Sequence, residues 1–385
     1  MQRDGIEVEL IEDRQRIPFS AREWNALSAR SETHTIFQTY EWFDAWWSVF
    51  GGRNDLFFLI LRNRGDIIGF APFMLRRIGP GLRQLELIGT GNADYLDLVL
   101  AADRLEALRA VFAFLRARAH RWVRVKLVNL PVTSSTWQFL REHGPSLGLY
   151  WTEEASASCP SLRIEGHEEE ARRLTQKYSM RRPLNWFTRQ GAVRFRRLET
   201  LSEIEEALPR FFDQHIRRWH SVGRHSLFED PRQRAFYLRL AHNLQGTGWL
   251  HFSAVELSGE PLAFHYGFDY DGALIWYKPS FEVRHAERSP GLLLIGQLIE
   301  DAVSRGKREL DFTVGEESFK QRFTNHQRRN VYVGVYHSRA AHKAALAIGE
   351  ARRWAGRTWR RLRGRSGKEA AREPAALPHE PTREA

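Results

Sequence analysis

The chain has 385 residues, 42% of them hydrophobic, with 24 Phe and 13 Trp, so it can build two domains with packed cores. Its single cysteine, Cys159, excludes an internal disulfide and a cysteine-based zinc site, and is expected to be a small buried residue at the edge of a strand. The net charge of +11 is uneven: residues 339–385 hold 12 Lys and Arg against 5 Glu, a surplus of +7, and the remaining +4 makes the folded body too mildly basic to point to nucleic acid.

Taken in order, residues 6–11 alternate as a first strand, and residues 20–30 and 39–50 have helical spacing. In the second of these helices Trp42, Phe43, Trp46, Trp47 and Phe50 form a wide apolar face that belongs in a core. LFFLILRNRGDIIGFAPFMLRR is two strands turning at Gly65, and LRQLELIGTGNADYLDLVL is strand, glycine-broken loop and strand. A helix over residues 103–120 and the strand WVRVKLVNL follow. Next comes a helical region: residues 168–189, with a kink or break expected at Pro183, then 201–222 and 231–244.

LHFSAVELSGEPLAFHYGFDYDGALIWYKP then gives three antiparallel strands with turns at Ser258-Gly259-Glu260 and Asp271-Gly272. A helix opens on Ser289-Pro290-Gly291 and runs to Arg305, and a strand over residues 308–314, a short helix and the strand NVYVGVYH close the fold. NRGDIIGFAPF and LSGEPLAFHYGF form a weak internal repeat. Two similar modules are therefore expected, over residues 1–160 and 161–338, followed by a basic helix and tail over 339–385. Residues 351–368 hold eight basic residues and no acidic one, with Trp354, Trp359 and Leu362, so this helix is a candidate for contact with an anionic membrane surface.

At the Ser289 junction a serine is a good N-cap, and proline suits the first helical position because its missing N–H would be unpaired anyway. The amides of Gly291, Leu292 and Leu293 are then expected to face outward and, with the positive end of the helix dipole, to hold a phosphate-like anion. Arg284 and Arg288 stand just upstream to add charge-assisted contacts, and Lys278 leads out of the preceding strand.

This order of elements resembles the second half of a GNAT-type acyltransferase domain. SPGLLLIGQLIEDA at 289–302, with DFTVGEESFKQRF at 311–323, is similar to the CelD-like, cellulose-biosynthesis branch of that superfamily, to which the Fem-type peptidyltransferases are related. Against the usual (Q/R)-x-x-G-x-(G/A) signature, Arg288 stands at the first position and Gly291 is the glycine retained. The resemblance implies an α/β fold with mixed sheets: two tandem GNAT-like domains, the first degenerate and the second keeping the donor site. It implies acyl transfer, acetyl above all, from acyl-CoA (acetyl-CoA) to an amine or hydroxyl of a sugar, polysaccharide or cell-envelope precursor, with the acceptor between the domains. It also places substrate contacts on FFDQHIRRW, with His215 as a candidate base and Trp219 beside it. Asp94, in a DY-x-D stretch with Tyr95 and Asp97, is the candidate to orient or deprotonate an amine, and Lys320 and Arg322 stand at the family's FK-x-RF. A satisfied core histidine and an Asx-type turn are the plain alternatives for His215 and Asp94.

No HExxH or paired-Cys pattern implies a metal. No run approaches the ~20 apolar residues of a membrane span, and MQRDGIEVELIEDR has acidic residues where a signal peptide has its apolar core, so a cytoplasmic protein is expected. Two other functions fit the same residues. One is a Fem-like transferase using aminoacyl-tRNA, suggested by the basic segment 177–189; the other is a catalytically dead scaffold at the membrane surface.

Overall fold

Residues 5–347 are described in the structure, a computed structural model, and they form two compact units. The first takes the described residues up to Phe43, then Gly51–Ala157 and the chain from Arg329 on; the second takes Asp44–Phe50 and Ser158–Arg328. The residues from Arg329 on, expected with the second module, belong with the first because Asn330–Val335 pair with Val125–Pro131. Among the described residues no helix is long and apolar enough to cross a membrane. Residues 339–347 are helical, and the basic stretch 351–368 lies outside the described residues.

The chain begins with β1 (Glu7–Ile11), α1 (Ala21–Ala29), α2 (Tyr40–Phe50), β2 (Asp55–Asn63), β3 (Asp66–Gly79), β4 (Leu82–Leu87) and the short β5 (Val99–Leu100). Then come α3 (Arg104–Ala117), β6 (Arg124–Pro131), α4 (Ser135–His143) and β7 (Tyr150–Arg163). The second half holds α5 (Glu168–Gln176), α6 (Tyr178–Thr188), β8 (Val193–Leu198), α7 (Leu201–His220), α8 (Pro231–Leu244), β9 (Leu250–Leu257) and β10 (Glu260–Tyr270). It ends with β11 (Ala273–Phe281), α9 (Pro290–Ser304), β12 (Glu309–Asp311), α10 (Ser318–Gln321) and β13 (His326–Tyr336). The periodic segments fall close to expectation, whereas α4, β7 and β8 had no advance signal. The expected helix over 168–189 breaks at Lys177, whose ψ of 144° is extended, and Pro183 sits inside α6. Pro183 removes the hydrogen bond to the Ser179 carbonyl, but Ser179 is exposed and water can replace it.

In the first unit the strands run β1-β2-β3-β4-β6-β13, with β5 on β3. Its core stacks Trp24 on Phe43 and Phe58 on Phe70, ring centroids 4.6 and 5.4 Å apart. The second unit orders its strands β7-β12-β11-β10-β9-β8. Each unit contains three antiparallel strands, a crossover helix and a parallel fourth strand: β2-β3-β4-α3-β6 in one, β9-β10-β11-α9-β12 in the other. The tight β9–β10 and β10–β11 turns place Ser258-Gly259 and Asp271-Gly272 at positive φ, the conformation that matches strand twist.

Neighbouring residues on β10 point to opposite faces of the sheet. Tyr266 donates to the Tyr237 carbonyl of α8 at 2.9 Å, while His265 neighbours His251, which contacts Asp301 of α9 at 3.1 Å. Helices α7 and α8 therefore cover one face, and α9, with α5 and α6 packed on it, covers the other.

Candidate active site

The second unit's sheet opens at its centre. Parallel pairing of β11 with β12 covers only Ala273–Ile275 against Glu309–Asp311, yet β11 runs on to Phe281. Past Ile275, among the described residues, β11 pairs with β10 and not with β12. The mouth of this notch is held by Thr313, whose hydroxyl donates to the Trp276 carbonyl at 3.1 Å and whose N–H donates to Asp311 at 2.8 Å. Thr313 is left-handed at φ 54°, an unfavourable conformation for a β-branched residue. Ser289, where the chain enters α9, is left-handed too, at φ 57°. Strain of this kind persists where the surroundings impose it, commonly at binding sites. The indole Nε1 of buried Trp276 has no acceptor among the described residues.

At the start of α9 the expectation needs correction. Ser289 occupies the N-cap position in a left-handed conformation and makes no side-chain cap hydrogen bond. Its carbonyl instead accepts from the amides of Leu292 at 3.0 Å and Leu293 at 3.3 Å, so these two do not face a ligand. The Gly291 amide has no acceptor among the described residues. A Cβ at Gly291 would meet only the Phe281 ring, at 3.4 Å.

Cations stand on β11, on α7 and just before α9. The Lys278 ammonium lies 4.4 Å from the Tyr277 ring centroid and has no hydrogen-bond or carboxylate partner among the described residues. Arg218 of α7 stacks 4.3 Å over Phe281, and burial lowers its pKa to about 10, so it stays charged at neutral pH. Arg288 lies 5.0 Å over Trp186 and, like Arg284, is exposed. The crossover helix of the first unit differs: the N-cap of α3 is Asp103, a carboxylate that disfavours an anion there.

Four predicted contacts are structural instead. His215 is 2% exposed, with Trp219 Nε1 donating to its Nε2 at 3.0 Å and Ser226 Oγ 2.8 Å from its Nδ1. Both ring nitrogens are used, and burial, with Lys278 and Arg218 nearby, holds its pKa well below the ordinary value, so it is no general base; Trp219 is its buried partner. Lys320 is fully buried, donating to the Val314 carbonyl at 3.0 Å and pairing with Glu317 at 3.0 Å, so it does not reach a substrate. In the first unit, Asp97 is buried and accepts from Thr33, Ser134 and Thr136 hydroxyls and the Leu98 amide, at 2.5–2.8 Å. It ties three segments together rather than touching a substrate. Arg322 is exposed and lies 5.6 Å over Phe323. Tyr95 is buried with Phe37 nearby; Asp94 is half-buried, and its carbonyl accepts from Asn330 at 2.9 Å.

Residues 175–321, which include α6–α9, β8–β12 and this notch, match the family model described as an acetyltransferase (GNAT) domain. Those residues form a GNAT-fold domain. The fold resembles the solved structure of FemX, with a TM-score of 0.59 and 10% identity over 83% of this chain and 96% of that one. It also resembles the C-terminal domain of the Agrobacterium fabrum protein described as a lysylphosphatidylglycerol synthetase, with a TM-score of 0.50 and 14% identity over 85% and 96%. At such identities the likeness is one of fold. No curated protein matches the sequence. Thr313 and Phe281, which shape the GNAT domain's notch, were not singled out in the sequence, and Arg218 entered only as part of FFDQHIRRW. A threonine after DF and an arginine in a basic run carry no local signal of their role.

Proposed function

We propose that the protein transfers an acyl group, acetyl above all, from acyl-CoA to an amine or hydroxyl of a saccharide or cell-envelope precursor. The observation that carries this is the Lys278 ammonium, without a hydrogen-bond or carboxylate partner among the described residues, on the part of β11 that outruns β12. A thioester donor supplies the acyl group. The residues supply placement: Lys278, the Gly291 amide and the α9 dipole attract its phosphates, and Trp276 offers an indole N–H. Holding two reactants in register can account for roughly 7–11 kcal/mol of a barrier, so this chemistry does not require a strong base.

A thermal-shift panel of acyl-CoAs, UDP-sugars and charged tRNA tests the proposal. Acetyl-CoA should stabilise the wild type and Gly291→Ala, but not Gly291→Asp, whose carboxylate repels phosphate; equal stabilisation of all three removes the donor assignment. A second transferase reading, with aminoacyl-tRNA as donor, is favoured by Tyr178, 81% exposed between exposed Lys177, Arg181 and Arg182. Stabilisation by charged tRNA alone would select it.

A further inference from the structure

Away from the notch, the C-terminal end of α7 carries a group of side chains that acyl transfer does not use. His220 is the last residue of α7, His225 lies in the following loop, and Glu229 ends a 3-10 turn over Leu227–Glu229. His220 Nε2 lies 2.7 Å from one Glu229 carboxylate oxygen, and His225 Nδ1 lies 2.8 Å from the other. One ligand atom from each residue falls within 4.8 Å of the other two. We propose that His220, His225 and Glu229 form a binding site for a divalent transition metal ion of the zinc class.

Two imidazoles and a carboxylate suit zinc, whose ligands sit at about 2.0–2.2 Å in a tetrahedral set completed by water. Such a set puts donor atoms roughly 3.3–3.5 Å apart, a spacing that rotation of two exposed imidazoles reaches from the one observed. The site is also built. The Glu229 carboxylate is held from behind by the Ser226 amide at 3.0 Å, in a capping box whose Ser226 hydroxyl meets His215, and Phe228 anchors the turn with no exposed surface. The carboxyl end of α7 adds the negative pole of its dipole, which favours a cation.

Proton accounting is simple. The metal takes the lone pairs of His220 Nε2 and His225 Nδ1, so a proton on either atom moves to the other ring nitrogen of a neutral imidazole or leaves an imidazolium. The ion would clip the end of α7, two residues from Arg218, to the 225–229 loop. The pattern H-x(4)-H-x(3)-E is present in the sequence but matches no familiar metal motif.

Calorimetric titration of the full, untagged chain with zinc chloride tests this. The expected result is one equivalent bound by the wild type, with affinity at least about tenfold lower in His225→Ala and again in His220→Ala. The His225 side chain is 91% exposed and the His220 side chain 55% exposed, so both variants should melt like the wild type in EDTA. Cobalt chloride should give visible d–d bands in the wild type that vanish in the double variant. No saturable zinc uptake by the wild type, or undiminished uptake by the double variant, overturns the proposal.

Discussion

Replacing Asp97 with alanine tests whether the DY-x-D stretch is scaffold or substrate contact. The carboxylate accepts from Thr33 Oγ1 at 2.8 Å, Ser134 Oγ at 2.5 Å, Thr136 Oγ1 at 2.6 Å and the Leu98 amide at 2.8 Å. Alanine leaves four donors without this acceptor, and each buried orphan costs about 1–3 kcal/mol. Hydroxyls that re-aim, and relief from burying a charge, offset part of the loss, so the net destabilisation should be about 3–5 kcal/mol. Asn keeps the shape and one acceptor oxygen and should lose about half as much. Urea unfolding followed by circular dichroism, alongside acetyl-CoA titration of the folded variant, separates the roles: the midpoint should fall while donor affinity is unchanged. An Asp97→Ala protein within about 1 kcal/mol of wild type would refute the scaffold argument. The pH dependence has a defined sign. Burial raises the Asp97 pKa, so the native state holds this proton more tightly than the unfolded chain. Its contribution favours folding below the ordinary carboxyl range and is lost as pH rises above that range through the raised native value, so the wild type's advantage over Asp97→Asn should shrink as pH rises out of acid.

Lys278→Ala should weaken acetyl-CoA binding about 10- to 100-fold by calorimetry, because a charge-assisted contact is worth about 1.5–3 kcal/mol, while the melting temperature barely moves. Burial lowers the pKa values of His215 and His265, so their neutral forms stabilise the fold above the ordinary imidazole range and that contribution fades as pH falls. Urea midpoints should therefore drop between pH 7 and pH 5, by up to about 1.4 kcal/mol per pH unit for each histidine, and less steeply in His215→Gln. Gly267→Ala should cost about 3 kcal/mol or more by chemical unfolding, since its Cβ would lie 2.3 Å from the Ile275 carbonyl, which cannot yield as a side chain can.

Much of the fold was legible because periodicity is local. The apolar faces of α2, α7 and α8, and the positive-φ pairs at Ser258-Gly259 and Asp271-Gly272, write themselves into neighbouring residues. Strand β8 was not legible, since RFRR reads as polar loop until Arg196 pairs with Glu256 of β9 at 3.0 Å. The start of α9 at Ser289-Pro290-Gly291 was legible as a helix start, but His215, Lys320 and Asp97 were read as functional because a polar residue on an amphipathic pattern looks the same buried or exposed.

The sequence by itself determined the periodic strands and helices, α4, β7 and β8 apart, and the Pro-led start of α9, all consequences of residues within a few positions of one another. Only the tertiary structure decided which polar groups are already spent. Trp219 closes His215, Glu317 closes Lys320 and three hydroxyls close Asp97, while Lys278 keeps no such partner among the described residues. That distinction depends on distances between chain segments far apart in sequence, and hydrogen-bond satisfaction is settled only when those segments meet.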